Sequence, residues 1–351
     1  MRSDAVLDLS TDEIESVLTD GYGLAPDDVV LVSGEVSTVC RIRVGDTVLA
    51  VKSEPSTPAS RGSALWQSEV VDDLHRKGLP VPQIVKTRGG ELAYESVVGG
   101  QHLLTVVSDW LPDPPLSDVD VDDHLLAAVG ATAGRLSLAL SAAAMPSVAP
   151  AHQWELTRSA ESVRTVLSRV ADPHVAKLAA RTAQIFDETL HPLLPQLPRS
   201  IVHHDLHDSN LLIGTTAAGR RDVTGILDFG DMTVAPRVAE LAVTAAYAAR
   251  NTFDPAPALL SVVTGWARTS RLTRLEARAV LPAAQSRLAL NAAIWASRLD
   301  GTRTGYAYSR MSGTVATLEK LLCVDATMFE EEAWTLAGDV REAPPCERHE
   351  R

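Results

Sequence analysis

Three oxygen-bearing side chains lie close together in IVHHDLHDSNLLIGTTAAGRRDVTGILDFGD, the stretch that spans residues 201–231. Asp205 precedes Asn210 by five positions, and Asp228 follows the next two apolar runs. Phosphoryl transfer requires one group that orients or deprotonates an acceptor hydroxyl and others that hold Mg²⁺ against the phosphates. Because Mg²⁺ prefers oxygen ligands, an amide and a carboxylate suit the second role. The spacing therefore indicates Asp205 as the catalytic residue and Asn210 and Asp228 as metal ligands.

Two short apolar runs, joined by a turn, separate Asn210 from Asp228. This pattern predicts a β-hairpin with strands at residues 210–213 and 223–227. Because a hairpin returns the chain beside itself, it would bring Asn210 and Asp228 onto one ion.

Strand-like and helical patterns divide the chain into two regions. Val- and Ile-rich runs separated by turn residues predict a β-sheet in residues 1–109, with one helix at 64–77. Prolines at 112, 114 and 115 predict a stiff connector, and the pattern beyond them is mostly helical. We therefore predict an α+β fold with a β-rich first region, a mainly helical region at 110–340 and a tail at 341–351.

The charge and hydropathy of the chain exclude several kinds of partner. With 32 Lys and Arg against 45 Asp and Glu, the 351-residue chain carries a formal net charge of −13 and should repel nucleic acid. No apolar run reaches the ~18 residues of a membrane-spanning helix. The N-terminus has no basic segment followed by an apolar one, and the three cysteines form no CxxC motif. These features favour a cytoplasmic protein without membrane contact.

The sequence HHDLHDSN at 203–210, followed by DFGD at 228–231, resembles the catalytic and metal loops of protein kinase-like phosphotransferases. It is most similar to the aminoglycoside phosphotransferase and choline kinase superfamily, although His204 stands where that superfamily usually has Gly. Residues 225–242 and 287–322 resemble its hydroxylysine kinase branch. The resemblance implies a bilobed protein kinase-like fold with a β-rich N-lobe and a mainly helical C-lobe. It also implies ATP (or GTP) and Mg²⁺ as cofactors.

The resemblance assigns the nucleotide contacts to the N-lobe. Lys52 would hold the α and β phosphates, and Glu69 on the following helix would pair with that lysine. The loop over the phosphates and the hinge against the adenine would supply six further residues: Ser33, Gly34, Ser37, Thr38, Ser108 and Trp110. No GxxxxGK[ST] segment occurs, which argues against a Walker-type fold.

The superfamily's cationic acceptors imply residues that bind an ammonium group. Asp231 and Glu240 follow the metal loop and suit this role, although either could instead cap the helix that begins near Val238. His207 would reach the phosphate. The expected reaction transfers the γ-phosphoryl group to a hydroxyl of a small amine-bearing molecule. The leading acceptor is a hydroxylated amino acid such as 5-hydroxylysine.

Three alternatives stay open at this point. The acceptor could be an aminoglycoside or peptide antibiotic, which would make the protein a resistance kinase. The fold could be a non-catalytic nucleotide-binding module, although the intact lysine, aspartates and asparagine argue against it. A zinc site could form from His203, His204 and His207, although no cysteine lies near them. The sequence predicts no particular oligomeric state.

Overall fold

The computed structural model describes residues 7, 9–32, 37–146, 150, 152–250, 252–299, 304–311 and 313–342. These residues form two compact units. The first comprises the described residues within 1–113, 144–149 and 225–230. The second comprises those within 114–143, 150–224 and 231–351.

Strands dominate the first unit and helices dominate the second, which confirms the predicted α+β class. The helices are α1 (Thr11–Tyr22), α2 (Pro58–Arg76), α3 (Asp123–Ser141), α4 (Ser159–Val166), α5 (Pro173–Ile185), α6 (Val238–Ala248), α7 (Pro255–Ala267), α8 (Arg274–Ala296), α9 (Thr304–Met311), α10 (Thr314–Leu321) and α11 (Ala326–Glu342). The strands are β1 (Asp28–Val32), β2 (Thr38–Val44), β3 (Thr47–Pro55), β4 (Ile84–Val85), β5 (Tyr94–Val98), β6 (Gln101–Asp109), β7 (Arg199–Val202), β8 (Leu211–Thr215), β9 (Arg221–Ile226) and β10 (Thr233–Pro236).

The first unit contains an antiparallel six-stranded sheet in the order β1-β2-β3-β6-β4, with β5 also paired to β6. On β3, Leu49 and Val51 are buried in a cluster that also contains Ile14 and Leu18 of α1. Because side chains alternate along a strand, Lys52 points to the opposite face from Val51. The sheet therefore buries one face of β3 against α1 and presents the lysine on the other.

Helix α2 begins at Pro58, earlier than the residue 64 predicted from the apolar pattern. The hydroxyl of Thr57 accepts a hydrogen bond from the backbone N–H of Ser60 at 3.1 Å. Proline at the first helical position already has the φ that a helix requires. The N-cap and the proline therefore extend the helix over a turn that carries no apolar stripe.

Helix α8 occupies the centre of the second unit and packs against α4, α5, α6, α10 and α11. Nearly all of its residues are buried, on every face of the helix. Such a helix belongs in the interior of a domain. Two small antiparallel sheets, β7 with β10 and β8 with β9, complete the strand pairing of the described chain. The predicted β-hairpin is confirmed as β8–β9, with its strand ends shifted by one or two residues.

None of the helices in the described residues is long and apolar enough to cross a membrane.

Helices α3 and α7 approach so closely that only glycine fits where they cross. A Cβ atom added to Gly130 of α3 would lie 1.9 Å from the carbonyl oxygen of Val262. A Cβ atom added to Gly265 of α7 would lie 1.9 Å from the carbonyl oxygen of Ala127. Both obstacles are backbone atoms, so neither helix can accommodate a methyl group without moving apart.

We expect Gly130→Ala to lower the free energy of unfolding by at least ~2 kcal/mol, because the added methyl group overpacks the crossing. Urea unfolding midpoints measure the effect. The matched control is Gly338→Ala on α11, where an added Cβ atom meets nothing within 4 Å. That change should stabilise the helix by up to ~1 kcal/mol. Equal midpoints for the two variants would contradict the close approach.

Candidate functional site

The segment between β7 and β8 is a loop that holds Asp205 through its own backbone. The backbone N–H of Asp205 donates to Nδ1 of His203 at 3.2 Å. The side-chain amide of Asn210 donates to the backbone carbonyl of Asp205 at 2.9 Å and to its Oδ2 at 3.2 Å. Since the amide nitrogen of Asn210 is bonded in this way, its Oδ1 is the atom that can accept a cation. An amide oxygen that is available in this way fits the magnesium ligand predicted at Asn210.

The carboxylate of Asp205 is largely buried and is surrounded by cationic and N–H donors. Nη2 of Arg287 lies 2.6 Å from Oδ1, and Nε2 of His207 lies 3.4 Å from Oδ2. The backbone N–H of Ser209 donates to Nδ1 of His207, so the neutral ring carries its proton on the nitrogen that faces Asp205. Burial raises the pKa of Asp205, but His207 and Arg287 outweigh burial and hold that pKa below its usual range. Asp205 is therefore ionised at neutral pH.

Two non-glycine residues of the described chain have left-handed backbones: His204 has a φ of 69° and Asp228 a φ of 58°. The superfamily's usual Gly at position 204 has a physical reason, since this φ is easily reached only without a Cβ atom. The His204 ring is fully buried, accepts from the backbone N–H of Leu156 at 3.1 Å and packs edge-on against His152. Burial lowers the pKa of His204 well below its usual value, which keeps the ring neutral. These contacts offset the ~1–2 kcal/mol of backbone strain.

Glu240 of α6 does not face an acceptor pocket, which corrects the prediction made for it. Its side chain is fully buried, and Oε2 accepts a hydrogen bond from the backbone N–H of His203 at 2.6 Å. Burial raises its pKa to about 7, and the negative charge of Asp205 adds to this. Glu240 is therefore a support beneath the loop between β7 and β8.

His207 is also less available than the sequence suggested. It is buried, with one ring nitrogen bonded to Ser209 and the other facing Asp205, and its ring packs against Tyr247 at 5.4 Å between centroids. The contacts favour a role in holding Asp205 over direct contact with phosphate. Asp231 is partly exposed, and its backbone carbonyl is 3.1 Å from Nε2 of His152.

In the first unit, Nζ of Lys52 lies 3.0 Å from Oδ1 of Asp228. Their side chains are 38% and 52% exposed, so ligands can reach both charges. An ion pair this exposed contributes little to stability. Both charged groups are therefore accessible for binding a ligand.

The polar contact from α2 to the Asp-Phe-Gly segment comes from Gln67. Its Nε2 donates to the backbone carbonyl of Gly230 at 2.9 Å. Glu69 lies on an exposed part of the same helix, and within the described chain it forms no hydrogen bond or ion pair. The structure thus does not bring Glu69 to Lys52. Two positions along a helix correspond to a rotation of about 200°, so the two side chains cannot share a face.

The remaining predicted nucleotide contacts have mixed outcomes. Ser33 and Gly34 lie outside the described residues. Ser37 is buried, and the hydroxyl of Thr38 donates to the carbonyl of Leu7 at 2.6 Å. Thr38 therefore anchors the N-terminal segment instead of facing phosphate.

The predicted hinge lies at the C-terminal end of β6. Ser108 pairs with Ala50 of β3 and Ile84 of β4, and the backbone N–H of Trp110 donates to Val48 at 3.2 Å. The backbone donor of Trp110 is thus engaged within the sheet. Any adenine contact from this residue would involve its side chain or carbonyl.

The contacts of the three histidines disfavour the zinc alternative. Nδ1 of His203 and Nδ1 of His207 each accept a backbone N–H, as does Nε2 of His204. In each ring the nitrogen lone pair that a zinc ion would need is already bonded. The histidines shape the loop.

Arg287 is the residue that sequence reasoning missed. It contacts Asp205 across a separation of 82 positions, so no local spacing predicts the pair. The available signal was a lone arginine in the otherwise uncharged run RLALNAAIWA, which lies in a helix whose residues are nearly all buried. A buried charge of this kind normally has a specific partner.

Comparison with known proteins identifies the family. The model of the phosphotransferase enzyme family matches residues 28–269, which is more than half of the chain. The chain belongs to that family. This confirms the predicted superfamily.

The most similar curated proteins found include hydroxylysine kinases. The one from Danio rerio is 27% identical over 218 residues, covering 60% of this chain and 61% of that protein. The one from Mus musculus is 24% identical over 226 residues, covering 61% and 60%. The chain thus spans about three fifths of the length of the curated relatives it matches.

Solved structures of related fold include two small-molecule kinases. An amicoumacin kinase in complex with AMP-PNP, Ca²⁺ and Ami has a TM-score of 0.69 and 14% identity, covering 91% of this chain and 97% of that one. A microcompartment-associated aminopropanol kinase has a TM-score of 0.63 and 15% identity, covering 89% and 98%. These likenesses establish the kinase-like fold.

We expect Lys52→Met to slow ATP-dependent turnover on the order of 100-fold, because it removes the positive charge that is predicted to hold the phosphates. Gln67→Ala should slow it by a smaller factor, since one hydrogen bond to Gly230 disappears. Glu69→Gln should leave both kcat and the KM for ATP unchanged. Steady-state kinetics with varied ATP separates the three variants. A loss in Glu69→Gln as large as in Lys52→Met would restore the lysine–glutamate pair predicted from the sequence.

Glu240 should make the stability of the fold depend on pH. Its pKa rises on folding from 4.5 to about 7, so its stabilising contribution is complete below pH 4.5 and lost as the pH rises through 7. The wild-type protein should lose on the order of 3 kcal/mol over this window relative to Glu240→Gln. Urea unfolding at several pH values tests this. Glu332→Gln, an exposed change on α11, should keep the wild-type dependence. Parallel curves for wild type and Glu240→Gln would contradict the prediction.

Proposed function

We propose that this protein transfers the γ-phosphoryl group of ATP (or GTP) to a hydroxyl of a small amine-bearing molecule. The observation that carries the proposal is the ionised, largely buried carboxylate of Asp205, bonded to Asn210 in a chain of the phosphotransferase family. No observation favours a non-catalytic module, because the predicted lysine, aspartates and asparagine are all present. We further propose residues 1–109 as the nucleotide-binding part and residues 110–340 as the part that carries the catalytic loop.

In the proposed reaction, the acceptor hydroxyl donates a hydrogen bond to Asp205. The hydroxyl oxygen then forms a bond to the γ-phosphorus, and the bond between the γ-phosphorus and the β,γ-bridging oxygen breaks. ADP leaves with that electron pair, and the hydroxyl proton passes to Asp205. Because the pKa of Asp205 is low, it accepts this proton late, after most of the charge has moved to the leaving group.

Lys52 would hold the α and β phosphates, and Asn210 and Asp228 would each supply an oxygen ligand for Mg²⁺. The metal, when bound, neutralises the charge that develops on the phosphate oxygens. Asn210 can serve because its amide nitrogen is bonded to Asp205, and Asp228 because its carboxylate is half exposed. Among the nucleotide contacts predicted from the sequence, Ser37, Ser108 and Trp110 stay part of the proposal.

The leading acceptor is a hydroxylated amino acid such as 5-hydroxylysine, because hydroxylysine kinases are the curated relatives with 24–27% identity. The likeness to the amicoumacin kinase extends to the fold alone, at 14% identity, and gives the resistance role no comparable support. Asp231 is the remaining predicted candidate for the acceptor's amine. We also propose a cytoplasmic location, since ATP is available there and Cys40 and Cys323 are free thiols.

The proposal is tested by ADP release with Mg²⁺ over a panel of acceptors. The panel holds 5-hydroxylysine, homoserine, choline, ethanolamine, and several aminoglycoside and peptide antibiotics. We expect release with 5-hydroxylysine, and a loss of about 10³-fold in Asp205→Asn. Release with an antibiotic alone would support the resistance role. Normal nucleotide binding without release for any acceptor would contradict the proposed reaction.

A further inference from the structure

Arg287 projects from the buried helix α8 to the catalytic aspartate. Its side chain is 4% exposed, and Nη2 donates to Oδ1 of Asp205 at 2.6 Å. This is a short, charge-assisted hydrogen bond of the strong kind. A buried arginine is costly unless its charge is balanced, so the pair must be compact and well oriented.

Two aromatic side chains contact the guanidinium of Arg287. Its guanidinium carbon lies 4.9 Å from the ring centre of Trp154 and 5.6 Å from that of Tyr247. Nη1 also approaches the backbone carbonyl of Trp154 at 3.5 Å. A buried planar guanidinium in contact with two rings has little freedom to rotate. The position of Nη2 is therefore set by packing in the helical unit and not by the flexible stem of the side chain.

The partners of Asp205 show which acceptor position is left for a substrate. A carboxylate offers about four lone-pair positions. Within the described chain, Oδ2 faces both Asn210 and His207, at 3.2 and 3.4 Å, whereas Oδ1 faces Arg287 alone. The remaining position thus belongs to Oδ1, the oxygen that Arg287 holds.

We propose that Arg287 is a positioning residue that fixes Oδ1 of Asp205 so that this oxygen accepts the hydrogen bond of the acceptor hydroxyl. The inference rests on the proposed phosphotransferase function and adds a residue from α8 to it. Arg287 acts through Asp205 and contacts neither phosphate nor acceptor in this account. Misplacement of a reacting group by even 1 Å lowers turnover by about 100-fold.

The same loop provides a matched control. Arg250 is largely buried, donates to Oδ2 of Asp208 at 2.7 Å, and lies over the same Tyr247 ring at 5.2 Å. Asp208 has no part in the proposed chemistry. Loss of Arg250 therefore reports the cost of removing a buried arginine from this loop without releasing Asp205.

The test is a double-mutant cycle on kcat with the preferred acceptor and ATP. Arg287→Met should lower kcat about 100-fold, and Arg287→Lys about 10-fold, since lysine keeps the charge but not the planar fork. The KM for ATP should change less than about twofold, because Arg287 does not touch the nucleotide. In the Asp205→Asn background, Arg287→Met should change kcat less than about threefold, as coupled residues are not additive. That double variant removes both buried charges, which protects the fold.

Arg250→Met should instead lower kcat by the same factor in both backgrounds, because its effect does not pass through Asp205. The inference is overturned if Arg287→Met is equally costly with and without Asp205, or if it leaves kcat unchanged. A wild-type protein that phosphorylates no acceptor would contradict the proposed function, and this inference with it. An active wild type with additive Arg287 variants would contradict the inference alone.

Discussion

The carboxylate of Asp205 must stay ionised although it is almost buried. This requirement constrains which side chains of the second unit can surround it. Charge in a low-dielectric interior is unfavourable unless partners lie within hydrogen-bond distance. Arg287 supplies the opposite charge from α8, and His207 supplies an N–H from the loop itself. Glu240 lies beneath the same loop, and its raised pKa reflects both its burial and the charge of Asp205. Two acids share one small region, and the surroundings favour ionisation of Asp205 over that of Glu240.

Backbone strain in each unit occurs at, or next to, a residue with a role in the proposed reaction. His204 and Asp228 are the positive-φ residues other than glycine among the described residues. Each precedes or carries a group of the proposed chemistry, since His204 adjoins Asp205 and Asp228 is paired with Lys52. Strained backbone persists only where surrounding contacts impose it. The buried ring of His204 provides such contacts, which explains how histidine replaces the glycine of the superfamily.

The sequence was sufficient to predict those strands that are determined by the local pattern of apolar residues and turns. Alternating apolar residues predicted the strands of the first sheet, and two apolar runs around a turn predicted β8–β9. Contacts between distant segments could not be predicted from the sequence, because residue spacing does not show which face of a helix packs against which loop. Glu69 and Gln67 differ by two positions, and only packing shows that the glutamine contacts the Asp-Phe-Gly segment. The contact of Arg287 with Asp205 and the burial of Glu240 likewise depend on packing that the sequence does not show.

The central claim is that Asp205 directs an acceptor hydroxyl to the γ-phosphorus. The most direct measurement uses 5-hydroxylysine labelled with ¹⁸O in its hydroxyl group and follows the phosphorylated product by ³¹P NMR and mass spectrometry. Transfer to the hydroxyl gives a phosphate ester in which the ¹⁸O label is the oxygen that bridges carbon and phosphorus, formed by the wild type and not by Asp205→Asn. Unlabelled inorganic phosphate as the sole product would show that water, and not the hydroxyl, receives the phosphoryl group, and would contradict the central claim.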